Sequence, residues 1–397
     1  MAMTEAIATG VHLVEAAEID KARGYFMGML EAPAEAAGSH LWLARLDLAA
    51  SDFESAQEHI QAAMAAGPES PEVLAVRGLA HALREEYAEA LPDLEASAAA
   101  DPALAMNYPN LSLCYRMLGR IPEAVEAGRK GVELAPNNAA AHYAYARALG
   151  GQRDFDGAIA HALKTIALNP LHLDALWYAG RLLEAAGLLD ALIRLFEEGV
   201  KVNPQAIELR EKLLKAHLRR KDYVGALKQA VAIANQRGAT DDCVTAAECA
   251  LRVNNKPFAE WYFFYAIARD PNAWQPHYGL GLMYLNNGVY DSALRELGAA
   301  GALNPGFWEL QNQLGLCYLG SGRAAEAEAS FRAAMQAAPH RAEPVLNLAK
   351  SLSAAGRDGE ARALARQVAA STEAGSFFHE EAQKLLMMLG QESDRTQ

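Results

Sequence analysis

Basic side chains recur at one fixed spacing in the middle of the chain. Arg147, Arg181 and Lys215 follow one another at intervals of 34 residues. Tyr143 and Trp177 accompany them, each four residues before one of the two arginines. A guanidinium group can bind a carboxylate through two parallel hydrogen bonds, and an aromatic ring adds contact area that is desolvated on binding. This combination is typical of a surface that recognises an extended or helical segment with acidic groups or a free carboxylate.

The charge distribution favours the same prediction. The chain of 397 residues has a formal net charge of -13. Residues 139–239 nevertheless hold 14 Lys and Arg against 10 Asp and Glu, a net charge of +4, whereas residues 1–138 carry -12 and residues 240–397 carry -5. Coating a nucleic acid needs a surface dominated by Lys and Arg, which an acidic chain does not offer. We therefore expect a protein or peptide partner with acidic residues, and no nucleic acid.

Prolines mark the elements that must position these side chains. The hydrophobic residues, 52% of the chain, are largely Ala and Leu, which are strong helix formers. Proline cannot continue a helix, and it pushes the residue before it out of the helical conformation. The prolines spaced by 34 residues are Pro68, Pro102, Pro136, Pro170 and Pro204, and then Pro271, Pro305 and Pro339. The spacing predicts a helical unit that is repeated along the chain.

Small and large apolar residues repeat within the same interval. An alanine stands twelve residues before nearly all of these prolines, a large apolar residue often follows it by four, and a glycine recurs seventeen before the proline. In the clearest copy, Leu280, Gly281 and Tyr284 share one face of a first helix, where the glycine lets a second helix approach. This layout resembles the tetratricopeptide repeat, two antiparallel helices in each unit, over almost the whole chain.

The resemblance implies an all-α fold, a right-handed α-solenoid of about eleven helix pairs with a C-terminal capping helix. A degenerate helix pair is expected in residues 1–36, regular units in 37–239, further units in 240–375, and a capping helix with a frayed tail in 376–397. Each unit contacts mainly its neighbours, so we expect one continuous array.

The resemblance also implies where a partner binds, because the first helices of this family line a concave groove. We expect charge recognition by Arg147, Arg181 and Lys215, with Tyr143 and Trp177 as anchors. Adjacent positions extend the predicted site to Asn110, Arg116, Tyr178, Lys212 and Arg219. The chain is then a non-catalytic scaffold or adaptor. The alternatives are that these are solvated side chains on polar helix faces, and that the chain self-associates through its convex face or its ends.

Some members of the family bind acidic chaperone tails through a clamp of Lys and Asn residues. Asn110 and Asn347 occupy an equivalent position here. The accompanying basic residues do not have the clamp's arrangement, so we do not carry the clamp over.

Histidines and cysteines, which can serve in catalysis or metal binding, recur at equivalent positions of the repeat and do not cluster into a site in the sequence. Three histidines share one position near the start of a first helix, and three cysteines share another, as core residues do. They are His40, His142 and His277, and Cys114, Cys249 and Cys317. No zinc-type cysteine pair, phosphate-binding glycine loop or nucleophile elbow is present. We expect no enzymatic activity, no cofactor and no metal.

Targeting signals are also lacking in the sequence. No Lys or Arg precedes Lys21, so the N-terminal segment does not have the basic start of a secretory signal. No stretch approaches the roughly 18 consecutive apolar residues of a membrane span. We expect a cytoplasmic protein without membrane insertion.

Five aromatic residues, 261–265, follow the one irregularity in the spacing. Pro204 and Pro271 are 67 residues apart, one fewer than two intervals, and Gly238 stands where a proline was due. The repeat predicts that Phe263 lies in the core. Trp261, Phe264 and Tyr265 either pack into space left by the irregularity or form an exposed convex patch, on which a partner or a second copy of the chain would bind.

Overall fold

A computed structural model describes residues 5–66 and 70–393, and all regular elements in these two ranges are helices. The chain divides into two compact units, Met1–Pro204 and Gln205–Gln397, which we call unit 1 and unit 2. Pro68 of the proline series lies outside the described residues.

Unit 1 contains twelve α-helices and one short 3-10 helix, Met29–Glu31, within its described residues. The α-helices are α1 (Glu5–Glu15), α2 (Ile19–Gly28), α3 (Pro33–Ala49), α4 (Phe53–Ala66), α5 (Pro71–Leu83), α6 (Tyr87–Ala100), α7 (Asn107–Met117), α8 (Ile121–Leu134), α9 (Ala139–Gly151), α10 (Phe155–Leu168), α11 (Leu173–Ala185) and α12 (Leu189–Val202).

Unit 2 contains eleven α-helices up to residue 393. They are α13 (Ile207–Arg220), α14 (Tyr223–Arg237), α15 (Thr240–Arg252), α16 (Lys256–Arg269), α17 (Trp274–Asn286), α18 (Tyr290–Leu303), α19 (Trp308–Gly320), α20 (Ala324–Ala337), α21 (Ala342–Ala354), α22 (Asp358–Ser371) and α23 (Phe377–Ser393).

Within each unit, helices pack on their neighbours in sequence as successive pairs. α3 packs on α4 and α9 on α10 in unit 1, as α17 packs on α18 in unit 2. First helices also contact the first helix of the next pair, as α7 does with α9 and α17 with α19. The described residues thus contain eleven helix pairs, from α1 and α2 to α21 and α22, followed by α23. The prediction of an all-α solenoid of about eleven pairs with a last helix is confirmed.

Small residues set the distance between paired helices. A Cβ atom at Gly281 of α17 would lie 2.6 Å from the Cγ atom of Leu297 in α18. Gly180 and Gly315 face Phe196 and Phe331 in the same way. The large residue of the second helix therefore fills the space that the glycine leaves, and Leu297 and Phe331 are fully buried. The predicted packing role of the glycine is confirmed.

The turn inside each helix pair contains one residue in the left-handed conformation. Gly119 (φ +77°) and Gly288 (φ +72°) are two of the glycines that stand seventeen residues before the proline. At the same position of other pairs, Glu85 (φ +63°), Arg153 (φ +68°) and Lys221 (φ +60°) adopt this conformation although they have a Cβ atom. Glycine adopts it without steric cost, so the backbone of the turn is common to the array while its residue type varies.

The irregular spacing has a local explanation at Gly238. This glycine ends α14 with φ +67°, and a Cβ atom there would collide with the guanidinium group of Arg269. The glycine thus ends the helix in place of the expected proline.

The predicted domain limits are not decided by these helices. α3 begins at Pro33, shortly before the predicted limit at residue 37, and α23 occupies most of 376–397. The frayed tail that was expected in residues 390–397 begins inside α23, and its last four residues, 394–397, lie outside the described residues. The limits remain a prediction.

Candidate functional site

A groove of about 580 Å³ lies across α7, α9 and the start of α11 in unit 1. Four of the predicted site residues line it, Asn110 and Arg116 of α7 and Tyr143 and Arg147 of α9. We call it the basic groove. It forms because α7 and α9, the first helices of successive pairs, pack side by side and present the same helix face.

The cationic side chains of this region are arranged around tyrosine rings. Arg147 donates a hydrogen bond from Nη1 to the Tyr143 hydroxyl at 2.9 Å. Its guanidinium carbon lies 5.0 Å from the ring centre of Tyr178 and 5.7 Å from that of Tyr143. The guanidinium carbon of Arg181 lies 5.9 Å from the Tyr178 ring. Tyr178, predicted as a neighbouring contact, is instead a buried platform, only 9% exposed, beneath two arginines.

Arg116, Arg147 and Arg181 form no ion pair with a carboxylate anywhere in residues 5–66 and 70–393. The arginines on the adjacent second helix and its preceding turn differ in this respect. Arg120 pairs with Glu123 at 2.9 Å, and Arg129 pairs with Glu126 at 2.5 Å. No described carboxylate therefore forms an ion pair with Arg116, Arg147 or Arg181.

Electrostatic effects show that these charges act on one another. Burial lowers the pKa of Arg116, and repulsion from Arg147 lowers it further. Burial raises the pKa of Tyr178, whereas Arg147, Arg116 and Arg181 oppose that rise. A negative group that entered between the arginines would relieve their repulsion, and partial burial would strengthen the attraction.

Four residues in or beside the turns, which were not predicted from the sequence, complete the basic groove. Glu85 and Tyr87 border it beside α7, and His172 and Asp174 border it at the start of α11. The His172 ring lies 4.6 Å from the Tyr143 ring, and its Nδ1 atom accepts a hydrogen bond from the Ala175 amide. The groove therefore contains carboxylates as well as guanidinium groups.

Two predicted residues of unit 1 have local partners. The Trp177 ring packs on Phe196 of α12 at 5.9 Å between ring centres. It is half-buried there and does not line the basic groove. Asn110 lines the groove, but its side-chain amide also donates to the Met106 carbonyl at 3.1 Å. The lining of the basic groove thus includes Asn110 but not Trp177.

The remaining predicted contacts, Lys212, Lys215 and Arg219, are exposed on α13 of unit 2. Lys215 borders a smaller pocket of about 250 Å³ beside Arg237. Arg237 binds Asp242 through two hydrogen bonds of 2.7 and 2.6 Å. The predicted row of Arg147, Arg181 and Lys215 extends over both units and remains a prediction.

The aromatic run lies on α16 and is divided between core and surface. Phe263 is fully buried, as predicted, and Tyr262 is also buried and donates from its hydroxyl to Asn235 Oδ1 at 3.2 Å. The core therefore takes two rings of the run, one more than expected. Trp261 is 53% exposed and Phe264 48% exposed, whereas Tyr265 is half-buried. The rings of Trp261 and Tyr265 stack in parallel, with centres 5.1 Å apart.

Cysteines and metal ligands form no second site in the described ranges. Cys114, Cys249 and Cys317 are buried, and burial raises the pKa of each thiol to about 11. Such thiols stay protonated near neutral pH and are poor nucleophiles. No three His, Cys, Asp or Glu side chains converge in a metal-binding group among the residues that the structure describes. None of the described helices is both long and apolar enough to span a bilayer.

Several solved structures are similar to this chain. Yeast Tom70 is 14% identical with a TM-score of 0.43, over 98% of this chain and 96% of that one. MamA is 23% identical with a TM-score of 0.37, over 40% of this chain and 87% of that one. YrrB, described as a TPR protein with an unusual peptide-binding site, is 17% identical with a TM-score of 0.35, over 46% and 95%. No curated protein sequence matches the chain.

Two sequence models, each described as a tetratricopeptide repeat, match this chain. One matches residues 41–105, 143–191 and 278–342, and the other matches 318–375. The matched regions together cover more than half of the chain and lie within its succession of helix pairs. With its helix pairs, their glycine contacts and their repeated turns, the chain belongs to the tetratricopeptide repeat family.

Proposed function

We propose that this chain is a protein-interaction scaffold that holds an acidic segment of a partner in the basic groove. One observation carries the proposal: Arg147 and Arg181 lie against the Tyr178 ring, Arg116 lines the groove beside Arg147, and none of the three pairs with a described carboxylate. Arginines of this kind can bind carboxylates, and tyrosines contribute contact area at little cost in conformational entropy.

The charges of the groove constrain the ligand further. Glu85 and Asp174 border the same groove as Arg116 and Arg147. A uniformly acidic segment would be repelled by these two carboxylates. The matching ligand therefore carries an acidic residue opposite the arginines and a neutral or basic residue on either side.

The cellular role that we propose is that of a non-catalytic adaptor in the cytoplasm. Solenoids of helix pairs present extended surfaces to other chains. The buried thiols and the groove without convergent metal ligands in its described residues fit a role in binding. A basic groove in a chain of net charge -13 also favours acidic partners over nucleic acid.

Selection from a library of short random peptides tests the proposal. The full chain should enrich peptides with an Asp or Glu at one fixed position, because the arginines occupy a fixed place between α7 and α11. Arg147→Gln should abolish that preference. Arg129→Gln is the matched control, because Arg129 lies on α8, pairs with Glu126 and does not line the groove.

Two results would contradict the proposal. Enriched peptides without acidic residues would show that the arginines do not select the ligand. An unchanged preference in Arg147→Gln would place the binding site elsewhere.

Self-association is a second candidate function, favoured by the exposed rings of α16. Trp261 borders a groove of about 560 Å³ together with Phe258 and Pro257. Exposed aromatic patches of this kind are common at protein interfaces. A second copy of the chain would cover Trp261 and Phe264.

Sedimentation of the full chain over a range of concentrations tests this candidate. A mass that rises with concentration, and that Trp261→Ala keeps at the monomer value, would support it. A monomeric mass at all concentrations would exclude it.

A further inference from the structure

Two pairs of histidines meet between paired helices of unit 1. The Nδ1 atoms of His142 in α9 and His161 in α10 lie 2.8 Å apart, and those of His40 in α3 and His59 in α4 lie 2.9 Å apart. In each pair the two residues are 19 apart in sequence, at the same place in the helix pair. Each contact is a hydrogen bond, which needs one proton between the two nitrogens.

The proton on His142 is fixed by its surroundings. His142 is buried, and its Nε2 atom lies 3.0 Å from the Pro136 carbonyl oxygen, which can only accept. Nε2 therefore carries the hydrogen, and the neutral ring presents a bare Nδ1 that accepts from the Nδ1–H of His161. A further proton can add to Nε2 of His161 without disturbing the bond. A second proton, on Nδ1 of His142, would place two N–H groups and two positive charges against each other.

We propose that the His142–His161 contact is an acid-sensitive joint, which holds α9 to α10 while His142 is neutral and opens when both rings are protonated.

The charged groups around His142 and His161 do little to offset the repulsion between the two rings when both are protonated. Asp154 favours the protonated form of His161, but its side chain also accepts the hydrogen bond of the Gly157 amide. The Tyr145 ring packs on His161 at 4.6 Å between ring centres. In α8, which packs on α9, Arg129 pairs with both Glu126 and Glu133, and these groups act on Tyr145. The pKa of His161 responds instead to burial, to His142 and to Asp154.

The sign of the pH effect follows from the protons that each state binds. Burial lowers the pKa of His161, and the neighbouring His142 lowers it further. An unfolded histidine titrates near 6.5, so below about that pH the open state binds more protons than the closed state. The stability of the joint therefore decreases as the pH falls through this value, by up to about tenfold in the opening equilibrium for each pH unit.

The equivalent positions of other pairs provide comparisons within the chain. His59 Nε2 lies 3.8 Å from Asp47 Oδ2, an acceptor that can stabilise a proton on His59. The His40–His59 contact should therefore tolerate acid better, although burial and His59 lower the pKa of His40. In α17 and α18, His277 Nδ1 meets Glu296 Oε2 at 2.9 Å. Protonation of His277 strengthens that contact instead of breaking it.

Opening of the joint would also affect the basic groove, because α9 carries Tyr143 and Arg147. This consequence for binding rests on the proposed function. The proposal of an acid-sensitive joint does not depend on that function, and it can be tested without a partner.

Hydrogen exchange of the full chain, corrected for the intrinsic effect of pH, tests the joint at about pH 6.5 and about pH 5.5. Protection of α9 and α10 should fall by up to about fivefold over this interval, because an unfolded histidine is already half protonated at about pH 6.5. Protection of α17 and α18, with His277 and Glu296, should not fall. Equal behaviour of the two helix pairs would overturn the proposal.

His161→Gln tests the joint by removing the positive charge that His161 carries in acid, so that protonated His142 has no cation opposite it. Gln229 occupies the equivalent position of α14 and accepts from Arg210 at 3.1 Å, so an amide fits at this place. The loss of protection should disappear in this variant and persist in His340→Gln, which replaces an exposed histidine. His161→Gln could lower protection at both pH values if the glutamine itself loosens the helix pair. In that case His161→Glu is the test, because protonation of His142 would then strengthen a His–Glu pair and protection should rise on acidification. An undiminished acid loss in His161→Glu would refute the joint.

Discussion

Arg147 donates a hydrogen bond of 2.9 Å to the Tyr143 hydroxyl, one helical turn earlier on α9. The tyrosine holds the guanidinium group in place without neutralising its charge. A positioned cation of this kind loses little conformational freedom on binding, so more of its interaction energy contributes to affinity.

Tyr143→Phe should weaken binding of a library-selected acidic peptide without unfolding the chain. The ring remains, but the hydrogen bond to Arg147 is lost, at a net cost of about 0.5–1.5 kcal/mol, or roughly two- to tenfold in affinity. Titration calorimetry measures the change. Tyr145→Phe is the control, because Tyr145 lies on the same helix and packs on His161 outside the groove. Equal losses in both variants would contradict a specific role for Tyr143.

Arg153→Gly should stabilise unit 1. Arg153 is exposed and has φ +68°, a conformation that costs a residue with a Cβ atom about 1–2 kcal/mol. Greater freedom of glycine in the unfolded chain offsets part of this gain, so we expect about 1 kcal/mol. Urea denaturation followed by circular dichroism provides the measurement, with Gly119→Ala as the reverse change at the equivalent turn. A destabilised Arg153→Gly would show that the side chain has a structural role.

Gly281→Ala should destabilise unit 2 by about 1–3 kcal/mol, because the added methyl group overlaps Leu297. Gly298→Ala, in the partner helix α18, is the matched control, since a Cβ atom there meets nothing within 4 Å. The control should be stabilised by up to about 1 kcal/mol through helix propensity. If both variants changed stability in the same direction, close approach of α17 and α18 would not be the reason for the glycine.

Within the aromatic run 261–265, substitution of a buried ring should reduce the free energy of unfolding more than substitution of an exposed ring. Phe263→Ala should cost about 3–5 kcal/mol, because its ring is fully buried. Trp261→Ala should cost much less, because about half of that side chain is exposed. Urea denaturation of the two variants distinguishes them, and a similar cost would mean that Trp261 is part of the core.

Sequence alone predicted the fold well because helix-pair packing depends on local repeats. The interval between prolines and the contact of Gly281 with Leu297 are properties of a single helix pair, and they were visible in the residue types. The recurring glycine of the turn, Gly119 among others, was visible in the sequence, but its left-handed conformation was not predicted. Glu85 adopts the same conformation, so the backbone of the array imposes it on other residue types as well.

The candidate site was predicted in part. Asn110, Arg116, Tyr143 and Arg147 share one face of two successive first helices, and periodicity predicts that relation. Trp177 was expected as an anchor, but the bulky ring of Phe196 lies close enough for it to pack there. Glu85 and His172 were missed because turn residues reach the groove only through the stacking of neighbouring pairs.

Charge reversal at the groove tests the central claim most directly. A library-selected acidic peptide and its Lys-substituted counterpart are titrated into the native chain and into Arg147→Glu. We expect the native chain to prefer the acidic peptide by at least about tenfold, as charged hydrogen bonds of about 1.5–3 kcal/mol imply, and the variant to lose or invert that preference. An acidic peptide that binds both proteins equally well would contradict the account.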